Sequence, residues 1–229
     1  MKILEIEIQT DNIKETETFY SEILGLQLVN KHQNSISFKA GQSKLTFIKS
    51  DNINPKYHFA FNIPNNKLEE AILWAKSRLS LIENDENGII ANFESWNANA
   101  IYFYDNNNNI VEFIARFDLD NSTEKPFDIS VIESISEIGI VTDKPLNLAE
   151  TLIESYNLVY FNKSIKSEKF AALGNDNGLF IIVETNRKWY PTEHKAERHF
   201  CRVNIEIDGN IKEFLLNEKN QKITYRIEL

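Results

Sequence analysis

His58, Glu112 and Glu5 are the residues of this 229-residue chain whose types and places could do chemistry together. His58 opens an apolar segment, HFAFNI, and Glu112 interrupts another, IVEFIAR. Each overlies an earlier stretch of the same chain. LEIEIQ from Leu4 aligns with YHFAFN from Tyr57, setting Glu5 against His58, and SKLTFI from Ser43 aligns with NIVEFI from Asn109, setting Thr46 against Glu112. An imidazole and two carboxylates at related places of two repeated units can converge where the units meet about a pseudo-twofold axis, and such a set suits a divalent cation. Glu7 follows Glu5 on the same face of an alternating strand, so either is a candidate general base.

The elements that must position these groups form repeated βαβββ units. The first opens with an alternating strand over Leu4 to Gln9. Asn12 and Glu15 then make a capping box before Ile13, Phe19, Tyr20, Ile23 and Leu24 at helical spacing, and Gly25 stops that helix. LQLVNK, SISFKA and KLTFIK read as three strands. The second unit repeats the order, with a helix expected from about Lys67 to Leu81, strands near IIANFE, AIYFYD and IVEFIARF, and a last turn made of Asn106 to Asn109. After a polar linker, DLDNSTEKPFD, the first unit recurs: Glu5, Thr10, Asp11 and Phe38 match Glu137, Thr142, Asp143 and Phe170 by one constant offset. KFAALGNDNGLFIIVE is a hairpin with Asn177-Gly178 as its turn signal. HFCRVNIEI begins an abbreviated fourth unit, with IKEFLLNE expected as a short helix and ITYRIEL as a last strand. The expected division is one domain over residues 1–118 and a degenerate second over 130–229.

Bulk properties exclude some partners. A net charge of −9 and a pI near 5.1 offer no basic stripe for nucleic acid, and no apolar run approaches the roughly 20 residues that span a bilayer. A cytoplasmic location is expected, consistent with the lone Cys201.

Tandem βαβββ units with a His on the second unit's first strand and a Glu on its last resemble the vicinal oxygen chelate superfamily. That group includes glyoxalases, extradiol dioxygenases, fosfomycin resistance enzymes and bleomycin resistance proteins. The turn before Glu112, Asp105-Asn106-Asn107-Asn108-Asn109, keeps the Asp and final Asn of the family's pattern and puts Asn where Pro and Gly are common. The resemblance implies an α+β fold of paired, cup-shaped mixed sheets. It also implies metal ligands Glu5, His58 and Glu112, with Thr46 at the place of a fourth. The ion is Zn, Mn, Ni, Mg or Fe; the oxygen-rich donor set favours the first four over the two-His set of oxygen-activating iron. The implied activity is that of a glyoxalase-like metalloenzyme (a lyase or isomerase) on a small molecule with vicinal oxygens. The alternatives are a non-catalytic binder of the bleomycin resistance type and an extradiol dioxygenase. Trp96, Tyr102, Arg187 and Trp189 are the candidate substrate-binding residues, Arg187 beside Trp189 suiting a carboxylate. A monomer or homodimer is expected.

Overall fold

The computed structural model describes residues 1–50, 54–84 and 88–216, with the backbone of 224–227. The first unit comprises β1 (Lys2–Thr10), α1 (Ile13–Glu17), β2 (Gln27–His32), β3 (Ser35–Ala40) and β4 (Ser43–Lys49). The Asn12 side chain accepts from the Glu15 amide as expected, and α1 continues as a wider π-turn over Thr18–Ile23 until Gly25 at φ +82°. The second unit comprises β5 (His58–Ile63), α2 (Leu68–Lys76), β6 (Leu81–Ile82), β7 (Ala91–Phe93), β8 (Ala98–Tyr104) and β9 (Ile110–Arg116). Its helix ends earlier than its apolar spacing predicts, because Leu81 and Ile82 are taken into the sheet opposite Phe103 and Tyr102. The third unit comprises β10 (Ser134–Thr142), α3 (Pro145–Tyr156), β11 (Phe170–Asn175) and β12 (Gly178–Glu184). Its hairpin turns at Asp176-Asn177, one position before the expected pair.

The fourth unit comprises β13 (Cys201–Ile207), β14 (Asn210–Leu216) and β15 (Thr224–Ile227). Here the expected helix is replaced by a strand. Asp208 and Gly209, both at positive φ, make a two-residue turn that sends Asn210–Leu216 back along β13. The last two residues of IKEFLLNE lie outside the described residues.

All the strands join one large curved sheet, an α+β arrangement in which α2 packs on β8 and β9, and α3 on β10, β11 and β12. Strand pairing does not follow the expected division at residues 118–130. β5 pairs antiparallel with β10, so the second and third units share one concave face; β1 pairs antiparallel with β13, uniting the first and fourth units. The two halves meet where β1 touches β10 at Ile3 and Ile135. The larger core lies on the helix side, around residues such as Tyr20, Phe47, Phe61, Phe113 and Phe180. A second apolar cluster, with Ala60, Ala100, Ile114, Ile181 and Trp189, lines the concave face made by the second and third units. Small alanines there leave room that large side chains would fill.

Candidate metal centre and cavity

His58 begins β5, and the turn before β9 holds it in place. Asp105 accepts from the amides of Asn107 and Asn109 and from the Tyr20 hydroxyl, while the Asn109 side chain accepts from the Tyr57 amide. Asn108 sits at φ +59°, supplying the left-handed geometry that glycine would otherwise give. Thus fixed, His58 Nδ1 lies 3.1 Å from the carbonyl oxygen of Ile110. A carbonyl only accepts, so Nδ1 carries the proton. Burial drives the His58 pKa down to about 4, keeping the ring neutral with a lone pair on Nε2.

That lone pair faces Glu112 Oε2 at 3.6 Å. Glu112 stands on β9 opposite Ala60 and Tyr102, is only 2% exposed, and accepts a hydrogen bond from the Tyr102 hydroxyl. The third group is Glu137 on β10, placed just past an irregularity in the β10–β5 register and paired with Ala60. Ligand atoms of His58, Glu112 and Glu137 all lie within 4.8 Å of one another, and all three residues are buried. Burial pushes both carboxyls up, Glu112 well above the ordinary carboxylate value, and the negative charge of Glu137 adds to the effect on Glu112. The fully buried Arg116, two positions past Ile114 on the same face of β9, ion-pairs with Glu137 and reaches Ser136 Oγ at 3.2 Å.

The expected trio is therefore brought together with one replacement. Glu5 lies in the other half of the sheet, bound by Thr46 at 2.7 Å, Lys44 at 3.0 Å and Asn204 at 3.3 Å, and Glu7 pairs there with Arg202 at 2.7 Å. Because β5 pairs with β10 rather than β1, the place expected for Glu5 falls to its repeat-equivalent, Glu137. The constant offset between the first and third units carried that signal. Arg116 was legible only as an alternate position to Glu112 on one strand.

A cavity of about 400 Å³ opens above the three groups. Trp96, Tyr102, Arg187 and Trp189 all line it, together with His58, Glu112 and Glu137. Trp189 stacks near His58, ring centroids 5.1 Å apart, and fits only because residue 139 is glycine: a Cβ there would meet the indole at 2.6 Å. Tyr190, beside Arg187 and Trp189 in NRKWYPTE, completes the walls with Phe93 and Phe170, which the strand pattern did not mark as site residues.

The sequence pattern of the Glyoxalase/Bleomycin resistance protein/Dioxygenase superfamily matches residues 2–117. The chain belongs to that superfamily. Among solved structures, a putative dioxygenase from Bacillus subtilis shares the fold at a TM-score of 0.60 and 14% identity, over 86% of this chain and 65% of that one. More local likenesses are to a lactoylglutathione lyase from Agrobacterium tumefaciens (TM-score 0.40, 20% identity, 48% of this chain and 90% of that one) and to a fosfomycin resistance protein from Listeria monocytogenes solved with Mn(II) and sulfate (TM-score 0.39, 16% identity, 49% and 87%). No curated protein matches the sequence. Among the described residues no helix is long and apolar enough to cross a membrane.

Proposed function

We propose that this superfamily member is a glyoxalase-like metalloenzyme that holds one divalent cation on His58, Glu112 and Glu137 and binds a small molecule with two neighbouring oxygens in the adjoining cavity. The observation that carries this reading is the neutral Nε2 lone pair facing a buried carboxylate at 3.6 Å, with a second buried carboxylate beside it. Two acceptors at that distance repel unless a proton or a cation lies between them, and burial raises the penalty. A three-ligand divalent ion leaves coordination positions open and acts as a Lewis acid toward bound oxygens.

The chain's own groups prepare for it. Ile110 fixes the imidazole tautomer, Tyr102 orients Glu112, and Arg116 orients Glu137 and balances one of the two buried charges. Phe93, Trp96, Tyr102 and Trp189 line the cavity above the centre. Without a cation, the raised pKa of Glu112 lets that carboxyl hold a proton at a pH where an exposed glutamate would have lost it. The set of one His and two carboxylates is harder than the two-His set of iron oxygenases, which favours Zn, Mn, Ni or Mg and disfavours the dioxygenase reading.

The Arg116–Glu137 pair favours a second reading, a binder of the bleomycin resistance type, since it already neutralises one acid without a metal. Calorimetric titration of chelator-treated protein with Zn²⁺ and Mn²⁺ separates the two. The enzyme reading expects one tight ion per chain, lost in His58→Ala and Glu137→Gln and kept in Glu5→Gln. Absence of tight binding, or its loss in Glu5→Gln, would sink it. The acidic charge and single cysteine support a cytoplasmic protein, and sedimentation would distinguish monomer from homodimer.

A further inference from the structure

We infer that the cavity takes a small organic anion, its carboxylate or similar oxyanion paired with Arg187 and its flat apolar body laid along the aromatic walls. This deepens the reading above, since the end of the ligand carrying two neighbouring oxygens would face His58, Glu112 and Glu137.

The anchor is built by a strap between β12 and β13. Its backbone folds on itself through Asn186 to Ala196, Ala196 to Arg187 and Trp189 to His194 hydrogen bonds, and the Thr192 hydroxyl donates to the Trp189 carbonyl. Arg187, Trp189 and Tyr190 thus reach the cavity from a segment held by its own bonds. Acids near the strap are engaged elsewhere: Glu184 with Lys169, Glu193 with Lys188, and Asp143 with Arg198. Arg187 has no carboxylate partner among the described residues. Its guanidinium lies over the Phe170 ring, 5.2 Å from the centroid, and among the described residues it donates one hydrogen bond, a 3.4 Å contact to the Lys188 carbonyl. A half-buried guanidinium that stacks on an aromatic face keeps its planar fork for an incoming oxyanion.

The walls set the rest of the ligand. Tyr190 meets Phe93 and Tyr102 edge-on at 6.0 and 5.9 Å, closing the third unit's strap onto the second unit, while Trp96 and Trp189 supply large flat faces. Such surfaces favour a planar, largely apolar body. Charge agrees: a divalent ion would answer Glu112 and Glu137, Arg116 is shared between Glu137 and Asp176, and Lys163 holds Asp176 and Asp118, so Arg187 is the positive charge left for an anion to offset.

The test uses Zn²⁺-loaded full-length protein and three probes with the same pair of adjacent oxygens: 3,4-dihydroxybenzoate, uncharged 1,2-dihydroxybenzene and 3,4-dihydroxybenzylamine. Affinity is read by calorimetry. The benzoate should bind about ten- to hundredfold more tightly than the uncharged parent. Arg187→Gln should erase that preference and leave the parent within about twofold, a span far below one charge-assisted bond. Arg187→Glu should shift it toward the amine, a gain that misfolding cannot mimic. Equal binding of benzoate and parent by the unaltered protein, equal weakening of both in Arg187→Gln, or binding of neither probe would overturn the inference. Repeating the titration after chelation tells the two readings apart. A benzoate preference that survives stripping keeps the anchor and defeats the metal centre. Metal-dependent binding without preference does the reverse.

Discussion

The two concave faces of this molecule are built on the same strand plan, yet among the described residues only one gathers three groups that could hold a metal ion. On the face shared by the second and third units, Glu137 lies opposite Ala60, with Glu112 on the next strand. On the face shared by the first and fourth, Glu5 lies opposite Asn204, with Glu213 on the next strand. The registers of β10 with β12 and of β1 with β4 set Gly139 in the place of Glu7 and Ile181 in that of Thr46. Arg202, the partner of Glu7 across β1 and β13, occupies the place that His58 takes in the other half. The first-and-fourth face is no poorer in acids. Its acids are partly exposed and answered: Glu7 by Arg202, Glu5 by Lys44, Thr46 and Asn204, and Glu213 by Arg202. On the other face the acids are buried, with Arg116 as the cation in contact with Glu137 and a neutral imidazole as the third group. Carboxylates become a candidate centre when burial removes water and too few counter-charges replace it.

The largest contrast should appear in cation affinity. Glu112→Ala is expected to weaken Zn²⁺ binding by at least about a hundredfold, as loss of a ligand carboxylate should. The corresponding Glu213→Ala should leave it unchanged. Equal losses in titration calorimetry would dissolve the distinction between the faces.

A second difference lies in how stability of the metal-free protein depends on pH. His58 has a folded pKa of about 4 against an ordinary 6.5, so the unfolded chain takes up its proton first as pH falls. The contribution is whole above about pH 6.5 and lost toward pH 4, by roughly 3 kcal/mol for this group. Denaturant melts from pH 4 to 7 should be flatter for His58→Gln than for the unaltered chain. Glu112 runs the other way: its raised folded value makes ionisation destabilising as pH rises above the ordinary carboxylate range. Glu112→Gln should therefore stabilise the metal-free fold at neutral pH while weakening cation binding, and a lower melting temperature would contradict this.

Packing gives a smaller effect. Gly139→Ala places a methyl 2.6 Å from the Trp189 ring and 3.2 Å from the His58 carbonyl oxygen, so the indole must leave its position over His58. Overpacking of this kind destabilises by about 1–3 kcal/mol, and the shift should register as a change in tryptophan fluorescence. Glu7→Ala, at the matching place of the other face, should leave that emission unaltered. The smallest change is expected for Arg202→Met. Its ion pairs with Glu7 and Glu213 join a side chain 39% exposed to ones 18% and 28% exposed, so their loss should alter stability by only about 1 kcal/mol and leave cation binding intact.

Much of the site was legible in the strand pattern. His58 and Glu112 converge because HFAFNI and IVEFIAR are neighbouring parallel strands of one unit, an order that the repeat predicts. Trp96, Tyr102, Arg187 and Trp189 reach one cavity although they come from two units. Arg116 was not singled out, because an arginine ending an apolar strand reads as an exposed terminus until a buried acid faces it. Nothing inside Asn210–Leu216 marks it as a strand, because its apolar residues follow no strict alternation and the turn that makes it one, Asp208-Gly209, lies just outside it.

By itself the sequence determined the unit order, the strands that carry the chemistry and the equivalence of Glu5 with Glu137. Only the tertiary structure decided which of those two glutamates joins His58 and Glu112. The first strand of every unit offers a partner the same row of amide and carbonyl groups, so nothing local in LEIEIQ or ISEIGI names the edge it will pair with. The choice follows from contacts between distant residues, among them Arg116 with Glu137 and Ser136, and Trp189 over Gly139. Those contacts exist only once the second and third units have closed on each other.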